Sequence, residues 1–257
     1  MRRFSLGAYI PLPSALALAF AFAFAFAFAV VIAAAGCAGD AQRANDAGAL
    51  IDGGAIADAA PARDDGPPGC PDGTVAIGAV CMDRYEAPNQ AGAPPLAMQN
   101  ALSGEAWCAA RGKRLCTEAE WLRACEGPDM SPYPYGDTYH RGTCDDDKTW
   151  IAPDWNLLAT WPADAGVAEA TRLYQADPSG ARTGCVSAEG VYDLTGNVAE
   201  WVRRSFEHAN DYPHVMKGCY WAGCYGGSPP SCTFVNPAHP SGFRTYEAGF
   251  RCCLDHP

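Results

Sequence analysis

Basic residues are scarce in this chain. Over 257 residues, 18 Lys and Arg stand against 29 Asp and Glu, a formal charge of −11. A phosphate backbone needs a basic surface, so nucleic-acid binding is excluded as the main task. Histidine is scarcer still: the five residues at 140, 208, 214, 239 and 256 include no pair three or four apart, so no local facial triad for non-haem iron can be drawn. No CxxC pair occurs, which argues against zinc. There is no Gly-rich phosphate loop, no nucleophile elbow and no internal repeat. Charged residues make up 18 % and hydrophobic residues 49 %, which excludes a wholly disordered chain.

Charge and composition divide the chain into three. Residues 1–36 carry only Arg2 and Arg3, followed by an apolar run from Ala15 to Ala35 with an Ala-Phe alternation. A basic start before an apolar run is an export signal, although 21 residues also suffice to span a bilayer. Ala34-Ala35-Gly36-Cys37 resembles the lipobox of bacterial lipoproteins, in which the cysteine is lipidated and becomes the mature N-terminus. Cys37 is therefore the expected lipidation site, and the rest of the chain is expected outside the cytoplasm at the cell envelope. Ala38 is not the Asp that retains such proteins at the inner membrane, so the outer membrane is favoured. Residues 37–69 hold 10 Ala, 6 Gly and 3 Pro with six Asp against two Arg. They read as an acidic, flexible tether. Residues 70–257 are long enough for one sizeable core.

Cysteine is abundant. Thirteen is an odd count, and setting Cys37 aside leaves twelve. In an exported chain those twelve are expected to pair. Cys70 and Cys81 bracket a short strand with a Pro-Asp-Gly turn, so proximity suggests a local bond. Ser103 is placed to cap a helix to about Ala110, and Thr117-Glu118-Ala119-Glu120 is a capping box that opens a second helix carrying Trp121 and Cys125 on one face. Residues 128–190 are rich in Pro, Gly, Asp and aromatics without period, so disulfides, metal or aromatic packing must hold them. A Gly196-Asn197 turn precedes Glu200-Trp201-Val202, and Gly249-Phe-Arg-Cys-Cys253 reads as a final strand. Two helices, short strands and much loop make an α+β class. All seven Trp lie beyond residue 100, and most are expected in the core.

Five segments then occur in order: Gly112-Lys-Arg-Leu-Cys-Thr-Glu-Ala-Glu-Trp121, Tyr133-Pro-Tyr-Gly136, Gly190-Val-Tyr-Asp-Leu-Thr-Gly-Asn-Val-Ala-Glu-Trp201, Lys217-Gly218 and Gly249-Phe-Arg-Cys252. Together they resemble the formylglycine-generating enzyme, or sulfatase-modifying factor, family over about residues 70–257. The resemblance implies an irregular, loop-rich α+β fold related to C-type lectins. Some members of that family oxidise a sulfatase cysteine with copper and O₂. Other branches are non-haem iron sulfoxide synthases, and many secreted members have no known activity, so the family fixes fold better than chemistry. Family position pairs Cys108 with Cys252 and Cys125 with Cys232; elimination leaves Cys116–Cys253 and Cys144–Cys185.

Asp193 and Glu200 flank a tight turn whose carbonyls suit a hard cation. By resemblance, their side chains with the carbonyls of Gly196 and Val198 bind calcium. Without the resemblance the residues allow an Asx-turn with Glu200 merely exposed. A second family calcium site would fall near Cys144-Asp145-Asp146, where an acidic solvated loop is the equal alternative. The oxidase branch needs two thiols separated by four residues, and Cys219-Tyr-Trp-Ala-Gly-Cys224 has that spacing. A thiolate pair suits Cu(I). The register is shifted, however: the first family cysteine lies six residues after the Lys, whereas Cys219 lies two after Lys217. A structural Cys219–Cys224 disulfide is the favoured reading. The expectation is a lipid-tethered binding or accessory domain stabilised by calcium and six disulfides. Its ligand, a protein or a glycan, would occupy a groove near residues 219–245. The alternatives are a copper-dependent formylglycine-generating oxidase using Cys219 and Cys224, and an iron oxygenase with His gathered from distant segments.

Overall fold

The computed structural model describes residues 69–255. The export signal, Cys37, the tether and His256 lie outside the described residues. Among the described residues no helix is long and apolar enough to cross a membrane. The chain builds β1 (Thr74–Ile77), β2 (Val80–Asp83), α1 (Ala101–Ala109), β3 (Arg114–Leu115), α2 (Glu118–Glu126), α3 (Trp155–Leu158), α4 (Asp164–Leu173), β4 (Ala199–Arg203), β5 (His214–Lys217), β6 (Val235–Asn236), β7 (Ala248–Phe250) and β8 (Cys252–Asp255). The strands form two four-stranded sheets, ordered β1-β2-β8-β3 and β6-β5-β4-β7, with β4 and β7 parallel.

Local rules explain most of the elements. The segment bracketed by Cys70 and Cys81 is the start of a hairpin, β1 against β2, rather than one strand. Both halves of the capping box at α2 form: Thr117 Oγ1 accepts the Glu120 amide at 3.3 Å, and Glu120 Oε2 accepts the Thr117 amide at 2.7 Å. The α1 cap is shifted from the expectation. Asn100 is the cap and Ser103 the third helical residue, each side chain accepting the other's amide. Helices α3 and α4 are additional to the two expected.

The final strand of the sequence reading is two strands. Chain direction carries β7 in one sheet directly into β8 of the other, with Arg251 between them. Two cores lie on either side. One gathers Trp201, Trp221, Met216 and Phe250, the other Trp121, Val202, Val215 and Leu194. Adjacent residues on a strand face opposite ways, so Cys252 joins the first core and Cys253 the second. Each is tied to the helical half of the chain, Cys252 to Cys108 and Cys253 to Cys116. Cys70–Cys81, Cys125–Cys232, Cys144–Cys185 and Cys219–Cys224 complete six disulfides, the same six pairs set out above. Three tryptophans, 121, 201 and 221, are fully buried; Trp150 and Trp155 are exposed.

Lys217, at the end of β5, is 2 % exposed. Its ammonium lies 5.3 Å from the centre of the Trp121 ring and makes no hydrogen bond or ion pair among the described residues. Burial lowers its pKa to about 8, against some support from Glu118 and Glu126. The unfolded chain therefore holds this proton more tightly than the native one between about pH 8 and 10.5. Native stability is expected to rise with pH across that window. Lys217→Met is expected to stabilise the fold at pH 7 by roughly 2–3 kcal/mol and to lose its advantage above the window. Parallel denaturant titrations of both proteins from pH 7 to 10.5 check this; a constant difference would refute it.

Candidate functional site

Beyond β5 the chain turns sharply. Gly218 and Cys219 both have positive φ, 85° and 63°, and Tyr220 to Gly223 close a turn through the Gly223 amide and Tyr220 carbonyl at 2.8 Å. This brings Cys219 and Cys224 together as a disulfide, with Cα atoms 4.9 Å apart. Cys219 is buried, and Cys224 is half-buried on an exposed loop. Around the pair lies an aromatic and acidic floor. The Tyr220 ring packs 5.6 Å from Tyr225 and 6.4 Å from Tyr246. The Tyr225 hydroxyl donates to Glu247, whose other oxygen accepts from Thr245 Oγ1 at 2.6 Å. Burial pushes the Glu247 carboxyl up, and burial with the Glu247 charge pushes the Tyr225 phenol far up. The space enclosed between the disulfide, Tyr220, Tyr225 and Glu247 is about 10 Å³, room for one water. Outside it, Tyr225, Phe234, Asn236 and His239 line an open groove of about 380 Å³. His239 stacks on Phe243 at 3.8 Å, and burial lowers its pKa, which favours the neutral ring.

The loop from Asp193 to Glu200 lies at the seam of the two sheets. Gly196 has φ 78°, and a Cβ there would fall 2.3 Å from the Asp145 carbonyl, so only glycine fits. Its amide donates to the Gly218 carbonyl, and the Asn197 amide to that of Asp145, both at 2.7 Å. Glu200 is not exposed. Its Oε1 accepts Arg251 Nη2 at 2.6 Å; its Oε2 accepts Arg251 Nε at 2.7 Å and the Trp121 indole N–H at 3.0 Å. Asp193 Oδ2 accepts the Gly180 amide at 2.7 Å. Glu86, fully buried, accepts Asn197 Nδ2 and Ser179 Oγ. Burial raises the pKa of Glu86 and of Asp193, each also in the field of the neighbouring carboxylates. Three buried carboxylates thus face one guanidinium.

The calcium set can be tested against this geometry. Asp193 Oδ1 and the carbonyls of Gly196 and Val198 accept no hydrogen bond among the described residues, and Glu200 Oε1 accepts one of the two it can take. No group of three or more His, Cys, Asp or Glu is placed to hold a metal among the described residues, so an ion here would depend on backbone oxygens. Free oxygens of the set thus remain at Asp193, Gly196 and Val198, while both Glu200 oxygens accept from Arg251. Near Cys144 the acidic run is not a solvated loop: Asp145 and Asp146 are buried, and Arg182 Nη2 lies 3.0 Å from Asp145 Oδ1. The described histidines do not converge. His208 sits 3.0 Å from Glu118, and His214 bridges Ser241 and Glu105. His140 lies beside Tyr135 and His239 on Phe243. Glu86, Glu247, Tyr225 and the pairing of Glu200 with Arg251 went unread in the sequence. Only the Gly-Phe-Arg-Cys segment carried a signal.

Residues 44–256 match the family described as sulfatase-modifying factor enzyme 1-like domain. Inactive C-alpha-formylglycine-generating enzyme 2 of Bos taurus is 30% identical over 124 residues, 48% of this chain and 37% of that protein. The chain thus matches little more than a third of that curated relative's length. Among solved structures, CarF aligns at 14% identity over 69% of this chain and 87% of its own, TM-score 0.47. PvdO from Pseudomonas aeruginosa aligns at 18% identity over 68% and 80%, TM-score 0.45. The ordered motifs, the loop-rich α+β fold and the span of the family match agree: the chain belongs to the sulfatase-modifying factor enzyme 1-like domain family.

Proposed function

We propose that residues 70–257 form a binding or accessory domain, not an oxidase, carried outside the cytoplasm on a lipid at Cys37 and stabilised by calcium. The observation that carries this reading is that Cys219 and Cys224 are joined as a disulfide, with buried Cys219 beside an enclosed space of only about 10 Å³. The open groove along Tyr225, Phe234, Asn236 and His239 is the ligand face. A curated relative described as inactive supports the same reading. All twelve cysteines from 70 to 253 pair, which leaves Cys37 as the odd one for lipid and suits an oxidising compartment. The free Asp193 Oδ1 and the free carbonyls of Gly196 and Val198 support the ion.

Thiol titration of the mature chain tests the central point. No free thiol is expected in the native protein, and mild reduction is expected to open Cys219–Cys224 early, because Cys224 is half-buried whereas four of the other five bonds lie between buried cysteines. Tight Cu(I) binding by that pair, with O₂-dependent oxidation of a cysteine peptide, would establish the oxidase instead.

Chelation is expected to lower the melting temperature by about 5–10 °C, the effect of losing roughly 2–3 kcal/mol of ion binding. Asp193→Gly should erase the difference between chelated and calcium-loaded protein. Glycine suits the φ of 59° at that position, and the Arg251 pair stays intact. Equal melting with and without chelator in the parent chain would refute the site. For the anchor, Cys37→Ala is expected to release the protein from membranes; retention would point to an uncleaved span.

A further inference from the structure

An apolar cavity of about 250 Å³ lies between α4 and the segment leading into α1. It shares no lining residue with the space beside Glu247 or with the His239 groove. Met98, Trp161, Val167, Thr171, Tyr174 and Tyr246 line it, and no lining side chain is charged. The Tyr174 hydroxyl donates to the Pro95 carbonyl at 3.1 Å, and Thr171 Oγ1 to the Val167 carbonyl at 2.8 Å. With those donors spent, the wall suits a hydrocarbon body and offers little to a polar head. Val167 is exposed on α4, so the cavity is open on that side, and exposed Trp155 stands 6.4 Å from the Tyr246 ring.

The polar partner is Arg244, two residues before Tyr246. Its Nη1 donates to the carbonyl of Met98, a lining residue, so the guanidinium sits at the Met98 end of the cavity. Arg244 is half-buried and forms no ion pair among the described residues. Burial alone lowers its pKa, with no carboxylate charge to offset it. A guanidinium stays protonated even so, and it keeps further N–H donors beyond the one given to Met98. A half-buried cation without a counter-ion, set beside an apolar cavity, is the complement of an amphiphilic anion.

We propose that this cavity binds a short aliphatic carboxylate, its chain between α4, Met98 and Tyr246 and its head on Arg244. The guanidinium fork matches a carboxylate in both charge and shape. The volume is below that of pockets for drug-sized ligands, which limits the length of the chain. The protein as a whole carries −11 and repels anions, so an anion that binds does so through a local cation. An amine of the same length has the net field in its favour but meets repulsion from Arg244. The site is separate from the His239 groove and stands whether or not that groove is the ligand face.

The experiment is calorimetric titration of the oxidised full chain with octanoate, butyrate, octylamine and octanol. Octanoate is expected to bind saturably, and butyrate about a hundredfold or more weaker, at about fourfold per methylene lost. Octylamine and octanol should each bind about tenfold or more weaker than octanoate. Arg244→Gln should weaken octanoate about tenfold and leave octanol unchanged. Val167→Glu places a carboxylate on the wall from an exposed helical position, and should weaken octanoate about tenfold while strengthening octylamine. Octylamine or octanol binding as tightly as octanoate would overturn the proposal, since the cavity would then take any apolar chain. Unchanged octanoate affinity in either folded variant, or no saturable heat from octanoate up to about 10 mM, would overturn it too. Should Arg244→Gln fail to fold, Val167→Glu and the four-ligand comparison decide.

Discussion

The fold turns on the buried pair of Arg251 and Glu200. Arg251 is the residue at which the chain leaves one sheet and enters the other, and its side chain is fully enclosed. Its donors are spread over the Glu200 carboxylate and the carbonyls of Asp83, Arg84 and Tyr192. Those acceptors belong to the end of the first hairpin, the loop before β4, and β4 itself. One guanidinium thus holds three stretches of chain in register at the seam. A pair of this kind adds little net stability against apolar packing, because both ions must be desolvated. Losing one partner would cost far more, since the other would stay buried and unpaired. Its contribution is to fix which strands meet, and the neighbouring Glu86 and Asp193 take their raised pKa values from the same crowded seam.

The cystines reinforce that seam rather than a single core. Because β8 is a strand, Cys252 and Cys253 project into different cores, and each is bonded to a partner well over a hundred residues earlier in the chain. One bond from α1 and one from the connection between β3 and α2, on opposite faces of one strand, lock the wall between the two cores. With short strands and long irregular connections, the polypeptide has few backbone ladders to restrain it, and covalent closure of long loops supplies the restraint.

What the sequence reveals and hides follows from range. The Thr117 box was legible because both of its hydrogen bonds close within three residues. The cap of α1 was read three residues late because Asn100 and Ser103 exchange equivalent bonds, and either fits the role by composition. Helix α4 had no sign at its start: Ala163 gives no side-chain cap. The roles of Glu86 and Glu247 were invisible because their partners arrive only when distant segments close: Asn197 on Glu86, Tyr225 on Glu247. The same holds for the split of the Asp145–Asp147 run, since nothing local says that Arg182 takes the outer two and leaves the middle one. Composition made that segment look solvated, whereas Asp145 and Asp146 are buried.

The smallest cystine loop shows how geometry and stability part company. In the chain-entropy estimate, closing the five-residue separation of Cys219–Cys224 is worth about 2 kcal/mol, against about 5 kcal/mol for the 144-residue separation of Cys108–Cys252. The short bond is thus the weakest contributor to stability, and it spans a turn that begins with two residues of positive φ. Cys219 is not a residue that adopts that conformation freely. The bond therefore acts mainly on shape. It holds Tyr220 over its aromatic neighbours and closes the space beside Glu247. It also sets the edge shared by the His239 groove on one side and a cavity beside Asp146 on the other, through Tyr225 and Cys224. The loop between Cys219 and Cys224 is the one that both cavities are built on.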